Sequence, residues 1–498
     1  MEHFDVVIIG AGLSGVGAAC RLQTMCPHKS YVILEGRAAI GGTWDLFRYP
    51  GIRSDSDMFT LSYPFRPWTG EASIAQGPAI LEYIRTTAAD YDVGQHIRFH
   101  HHATAASWSS AEEHWRVEAA VGDTGEVVRF SAGFLYLCSG YYRYDAGYQP
   151  DFPGADTFSG TIVHPQLWPE GLDYRDQKVV IVGSGATAMT LAPAMADTAA
   201  HVTVLQRSPT YVLSLPAVDP LAQHLRRVLP ERWAYRVVRW KNVLVATTVF
   251  QLCRRQPRLA KWLLRRGAVS QLPEGYAVDP NFAPPYDPWD QRMCIVPDGD
   301  LFKAISSGRV TMVTDRIDHL NPTGIRLASG EHLDADLIVS ATGLALVACG
   351  GIRLEVDGAA KDPRESFIYQ GFMLSGFPNL AMCFGYTNAS WTLRADLVSQ
   401  SVCRLLKRMD RDGAAVVVPQ LDSGGGPGAS QPLLDLSSGY VTRASTLLPK
   451  QGSRGPWKFR QNYIIDVLRA TFGRVGKGLA FSGGKTRVPS STATARGA

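Results

Sequence analysis

The sequence predicts an α/β protein of two Rossmann-like domains with a helical insertion, and three observations carry that expectation. A β-branched apolar run, a glycine-rich turn and an Ala/Leu-rich helical pattern follow one another twice, at Asp5–Gly15 and at Lys178–Ala188. Each block leads into a further apolar strand, Tyr31–Glu35 and His201–Leu205, so each reads as a βαβ unit. Between 221 and 267 the pattern becomes helical and strongly basic. The length of 498 residues agrees, because at ~150 residues per domain it gives about three domains. With 45% hydrophobic and 19% charged residues, disordered, collagenous and coiled-coil classes are excluded.

In the first unit the GxGxxG spacing falls on Gly10, Gly12 and Gly15, and Glu35 ends the next strand. Gly10 suits the tight turn, Gly12 the approach of a pyrophosphate, and Gly15 the packing of helix on strand. Glu35 can accept hydrogen bonds from ribose hydroxyls and would repel a 2′-phosphate, so this site reads as FAD or NAD rather than NADP. In the second unit Gly183, Gly185 and Ala188 take the glycine positions. The following strand ends in Gln206-Arg207-Ser208 without an acid, and Arg207 can pair with a 2′-phosphate. One FAD-type and one NADP-type site describe a flavin-dependent oxidoreductase. Two runs ending in small residues, Leu135–Gly140 and Asp334–Gly343, look like the outgoing and returning crossings between the domains. The expected division is 1–150 with 342–498 for FAD, 151–213 with 286–341 for NADP, and 214–285 for the helical insertion. The turn signal Asn321–Gly324 implies short strands over 309–340. Ser423–Gly428 reads as a surface linker, and 482–498 as a disordered end.

The net charge of +5 is unevenly spread. Residues 221–267 hold twelve Lys or Arg against Glu231 alone, +11, which leaves −6 on the rest of the chain. Such a segment is either a lid, its apolar face over the active site and its arginines toward water, or a surface for peripheral membrane contact. Nucleic-acid binding has no motif support. The eight cysteines have no CxxC pair, so no zinc ribbon or redox pair is expected, and no metal. No secretory leader precedes the first apolar run, and no segment reaches the ~18 apolar residues of a membrane span. The expectation is a cytoplasmic protein.

The segment Phe158-Ser159-Gly160-Thr161-Ile162-Val163-His164-Pro165-Gln166-Leu167-Trp168-Pro169 matches FxGxxxHxxxWP at every specified position. A chance match in this length is on the order of 10⁻⁴. This is the fingerprint of type I Baeyer–Villiger monooxygenases, which the chain resembles over nearly its whole length. Stretches Gly41–Asp57, Gly385–Thr392 and Leu448–Arg454 resemble the ethionamide-activating subgroup. The resemblance implies FAD and NADPH as cofactors, with Gly42, Thr43, Trp44 and Asp55 on the flavin side and His164 and Trp168 on the linker that senses NADP. It makes Arg292 the active-site arginine and Asp55 the carboxylate that orients it. Gln291 stands where many members carry Lys. The implied reaction uses NADPH and O₂ to insert one oxygen atom into ketones, giving esters or lactones, and to oxygenate sulfides or thioamides. The alternatives are a flavin N/S-oxygenase without ketone insertion and a non-catalytic NADPH-sensing flavoprotein.

Overall fold

A computed structural model describes residues 1–421, 426–434, 436–473, 476 and 478–484. Half of the linker 423–428 and most of the end 482–498 therefore lie outside the described residues. In the first unit, β1 (Glu2–Ile9), α1 (Leu13–Met25) and β2 (Tyr31–Leu34) form as the apolar pattern requires. Val6, Val7 and Ile8 are fully buried, because β1 lies inside a sheet covered on both faces. That sheet has eleven strands. β1 pairs in parallel with β2 on one side and with Glu126–Leu137 on the other. Antiparallel strands His114–Val121 and His101–Ser109 continue it, and Arg353–Val356 joins the latter in parallel. This sheet thus takes strands from both ends of the chain.

The second unit, β3 (Lys178–Val182), α2 (Ala186–Met195) and β4 (His201–Gln206), belongs to a separate five-stranded parallel sheet. Its order is Val310–Thr314, β4, β3, Leu337–Ser340, Thr161–Val163. Beside it Ile317–Asn321, Gly324–Leu327 and His332–Asp334 make a small antiparallel sheet. Its first turn is held by the Asn321 side chain, which accepts the Thr323 N–H at 3.0 Å. The two glycine-turn units therefore sit on two different parallel arrays, as the α/β reading requires.

The basic segment is helical: α3 (Pro220–Val228), α4 (Glu231–Arg255) and α5 (Pro257–Val269). It departs from a simple lid whose arginines face water. Arg239 of α4 is buried, and its Nη1 donates to the carbonyls of Phe59 at 2.6 Å and Ser62 at 3.0 Å. Arg226 of α3 donates to the carbonyls of Trp68 and Gly70. The cause is local. The helix Met58–Leu61 is one turn long, so beyond the Met58 carbonyl, which accepts the Ser62 N–H, its carbonyls lack helical partners, and the Arg239 guanidinium supplies donors. No helix among the described residues is long and apolar enough to cross a membrane.

Candidate functional site

At the first turn Gly10 has φ +99°, a conformation that favours glycine. A Cβ on Gly15 would lie 1.9 Å from the Gly10 carbonyl oxygen, so helix and strand can approach only without a side chain there. Gly12 is the N-cap of α1, and no side chain caps that end. Its leading N–H groups and positive dipole end are available to an anion. Glu35 is buried behind the turn, where Oε2 accepts the Ala11 N–H at 2.7 Å and Oε1 the Arg37 N–H at 2.9 Å. Gly42 closes on Gly12 from the other side, and its Cβ would come within 3.0 Å of the Gly12 Cα. Thr43 and Trp44 begin the short helix Thr43–Leu46 at the same place. Glycine walls, an uncapped helix end and a buried carboxylate make a cradle whose chemistry fits a dinucleotide.

The second turn has the same grammar with one difference. Gly185 caps α2 without a side-chain bond, and a Cβ placed on it would meet no atom within 4 Å, so the space before this helix end is free. Ala188 is buried against the sheet. Gln206 ends β4 and is buried, with Nε2 donating to the Asn281 carbonyl and to Thr314 Oγ1, both at 2.9 Å. That anchoring fixes where the strand stops. Arg207 then emerges exposed, beside half-buried Ser208, and makes no ion pair among the described residues. A free cation at this strand end is compatible with a phosphate.

Arg292 and Asp55, 237 positions apart, form a side-on pair. Nε lies 3.0 Å from Oδ2 and Nη2 donates to Oδ1 at 3.1 Å, both side chains being about one-third exposed. Nη1 has no protein partner among the described residues. Asp55 raises the guanidinium pKa above its ordinary value, and nearby Tyr141, Tyr440 and Tyr142 add to the effect. Arg292 is thus a permanently charged, oriented group with one nitrogen to spare.

Neighbouring residues link this pair to both turns. Tyr141 lies within electrostatic reach of Arg292 and its ring is 5.2 Å from that of Trp391, whose indole donates to Ser14 Oγ of α1 at 2.7 Å. In the other direction the Cys294 thiol is 3.9 Å from the Ser184 carbonyl, inside the second turn. The Tyr49–Ile52 turn, with Gly51 at φ +73° and the Ile52 N–H donating to the Tyr49 carbonyl at 3.2 Å, folds the flavin-side loop back as Pro50-Gly51 implied. It rests on α2, since a Cβ on Gly51 would sit 2.5 Å from that of Ala194.

The loop that carries Arg292 is itself under constraint. Trp289 has φ +72°, unfavourable for an aromatic residue by about 1–3 kcal/mol. Surrounding contacts hold it there. Its ring meets Phe250 of α4 edge-on at 5.6 Å, Arg254 donates to Asp290 Oδ1 at 2.8 Å, and the Ser437 N–H and hydroxyl both donate to the Asp290 carbonyl.

His164 lies at the returning crossing. Nε2 is 3.2 Å from the Gly343 carbonyl, and Nδ1 accepts the Gln166 N–H at 3.2 Å. Burial lowers its pKa, consistent with a neutral ring donating from Nε2. With Tyr49, Thr187 and Gly343 it lines a cavity of about 30 Å³ between the crossing and α2. Trp168 instead packs against the second sheet's core, edge-on to Tyr174 at 6.4 Å. The predicted residues therefore fall into two turn clusters and one ion pair linked to both, with Trp168 set into the packing of the second sheet. Sequence reasoning missed the aromatic wall of Tyr141, Tyr142 and Tyr440 around Arg292, and the Ser437 clamp. No spacing links these residues, so only the fold could reveal them.

The chain is similar to known proteins in sequence and in fold. Residues 63–262 match the flavin-binding monooxygenase-like family, and residues 8–72 an NAD(P)-binding Rossmann-like domain. The FAD-containing monooxygenase EthA of Mycobacterium tuberculosis is 53% identical over 483 residues, which cover 97% of this chain and 98% of that protein. A probable FAD-binding monooxygenase of Acinetobacter baylyi, AlmA, is 46% identical over 472 residues, 93% of each chain. In fold, an oxidized steroid monooxygenase bound to NADP superposes with a TM-score of 0.73 at 23% identity, covering 97% of this chain and 100% of its own. Cyclohexanone monooxygenase in an open form gives 0.75 at 19% identity, with the same coverages. With more than half the residues identical to EthA along nearly all of both chains, this chain belongs to the family of FAD-containing monooxygenases.

Proposed function

We propose that this monooxygenase consumes NADPH and O₂ to insert one oxygen atom into ketones, releasing an ester or lactone and water, and that it also oxygenates sulfides or thioamides. The observation that carries this reading is the Arg292–Asp55 pair, whose neighbours reach both glycine turns and which leaves one guanidinium nitrogen free. FAD belongs at Gly10, Gly12, Gly15, Glu35, Gly42, Thr43 and Trp44, and NADPH at Gly183, Gly185, Ala188, Arg207 and Ser208, with His164 and Trp168 on the connecting linker. The proposed division into 1–150 with 342–498, 151–213 with 286–341, and 214–285 follows the two sheets and the three basic helices.

Bound flavin, reduced by NADPH, supplies the activation of O₂, chemistry that the cofactor carries. The chain supplies position and charge. Arg292 stabilises negative charge that develops on oxygen as a substrate carbonyl is attacked, and Asp55 fixes the guanidinium plane so that little reorganisation is needed. The half-buried Tyr141, Tyr142 and Tyr440 stand near that charge and lower the dielectric on their side of it, which strengthens the interaction. His164, neutral and bonded to Gly343, holds the crossing in place between the two nucleotide folds.

The test is product identity. Purified enzyme with NADPH, O₂ and a panel of ketones and sulfides is expected to give esters or lactones by mass spectrometry, each oxygen insertion matched by one NADPH. Sulfoxides from the sulfides with no ester from any ketone would place the chain among N/S-oxygenases instead. Arg207 has its own readout. Arg207→Ala is expected to raise KM for NADPH about 10–100-fold and leave that for NADH nearly unchanged, because a charge-assisted phosphate bond contributes ~1.5–3 kcal/mol. Steady-state kinetics with both nucleotides measures it.

A further inference from the structure

The outer surface of the three basic helices is unlike the rest of the molecule. Thirteen of the twenty-one exposed large apolar side chains among the described residues lie between Leu215 and Val269. Of the eleven tryptophans, the three exposed ones, Trp233, Trp240 and Trp262, are all here, at 59%, 42% and 53% exposure. On α4 the exposed Trp233, Val237, Trp240 and Leu244 follow at intervals of four, three and four, one stripe along the helix. The buried Ala234, Tyr235 and Val238 lie on the other side. On α5, Leu259 and Leu263 are one turn apart with Trp262 between them. Contiguous apolar surface of this kind marks a place of contact in a soluble protein.

The charges say with what. Six of the twelve cations in the segment are committed. Arg226 and Arg239 bond backbone carbonyls, while Lys241, Arg254, Lys261 and Arg265 pair with Asp219, Asp290, Asp287 and Asp279. Arg227, Arg232, Arg236, Arg255, Arg258 and Arg266 are exposed and have no ion pair among the described residues. Two of them stack over the exposed indoles, Arg236 over Trp233 at 5.4 Å and Arg266 over Trp262 at 5.4 Å. We propose that this face of α3–α5 docks on an anionic lipid surface, with tryptophan and leucine side chains entering the headgroup boundary and the six free arginines meeting lipid phosphates. Tryptophan beside arginine suits that boundary, where one end of each side chain is wet and the other apolar. A second copy of the chain is a poor occupant, because a twofold contact would set the same unpaired arginines against one another. The charge balance also orients the molecule. The segment carries +11 and the remainder −6, so an anionic surface attracts this face and repels the others.

The experiment uses the full-length enzyme and sedimenting vesicles of phosphatidylcholine alone or mixed with phosphatidylglycerol, with brominated acyl chains as a tryptophan quencher. Expected are pelleting and quenching with the anionic vesicles, little of either with phosphatidylcholine, and weakening by salt. Arg232→Gln should lower the partition coefficient about fivefold, the effect of one cation near a charged bilayer. The triple change Trp233→Ser, Leu244→Ser and Trp262→Ser should abolish quenching while NADPH oxidation in free solution stays at the wild-type rate. Equal or absent binding to the two vesicle types, or unchanged binding of the variants, overturns the proposal. So does a dimer in light scattering that the triple change dissolves, since the face would then belong to a second copy.

Discussion

Arg292→Ala is expected to abolish ester formation while the enzyme still oxidises NADPH and releases hydrogen peroxide. The guanidinium is the one group at the pair with an uncommitted nitrogen, and Asp55 holds it by both Nε and Nη2. Removing a single neutral donor from an oxyanion site costs ~10²–10³ in rate, and here a full charge is lost together with its orientation. Its replacement leaves the Asp55 carboxylate unpaired beside the reacting atoms, which adds repulsion to the missing attraction. Neither glycine turn is touched, so flavin and NADPH should still bind, and reducing equivalents would drain to O₂ without reaching a substrate. The informative measurement is the ratio of ester formed to NADPH consumed. A normal ratio sinks the assignment of Arg292. Arg292→Lys is expected to fall near alanine rather than near wild type, because an ammonium cannot make the side-on pair with Asp55.

Gly15→Ala is expected to yield protein without flavin. The new methyl would meet the Gly10 carbonyl oxygen at 1.9 Å, and that oxygen is a backbone atom that cannot swing aside as a flexible side chain would. Gly10 has no room to retreat, since its own Cβ direction ends on the Cys138 carbonyl oxygen at 3.0 Å. Relief would have to come from moving α1 away from β1, which opens the cradle between Gly12 and Gly42. The visible flavin absorbance per protein should fall close to zero, with a lower melting temperature, overpacking of this kind costing ~1–3 kcal/mol or more. Gly185→Ala makes the internal comparison. Nothing lies within 4 Å of a Cβ there, so this variant should fold, keep its flavin and bind NADPH poorly. Full flavin content in Gly15→Ala would show that the first turn is not the flavin cradle.

The glycine turns, Glu35 and Arg207 were legible in the sequence because each motif is local. A strand, a turn, a helix and a second strand follow one another within about thirty residues, and the physics of a close backbone approach demands glycine at fixed intervals. Arg292 and Asp55 were legible only through family resemblance. Nothing in the chemistry of two charges 237 positions apart pairs them before the fold does. Tyr440 and Ser437 carry no motif at all, and they arrive at the Arg292 loop from the far end of the chain. The basic segment was misread in one respect for a related reason. Counting charges treats every arginine as facing water, whereas Arg239 goes inward because the one-turn helix at Met58–Leu61 leaves carbonyls that need donors.

That inward arginine has a consequence for recombination between relatives. Arg239 bonds the Phe59 and Ser62 carbonyls, and one turn along the same helix Asn242 Nδ2 donates to Asp57 Oδ1 at 2.8 Å, two residues from Asp55. The helix Glu231–Arg255 and the segment Asp55–Ser62 are therefore a matched set, although about 170 residues of chain separate them. A chimera whose crossover points import one without the other would set open carbonyls against a helix not shaped to receive them, and would unsettle the carboxylate that aims Arg292. Libraries that shuffle this family for new substrates should inherit the two segments as one block.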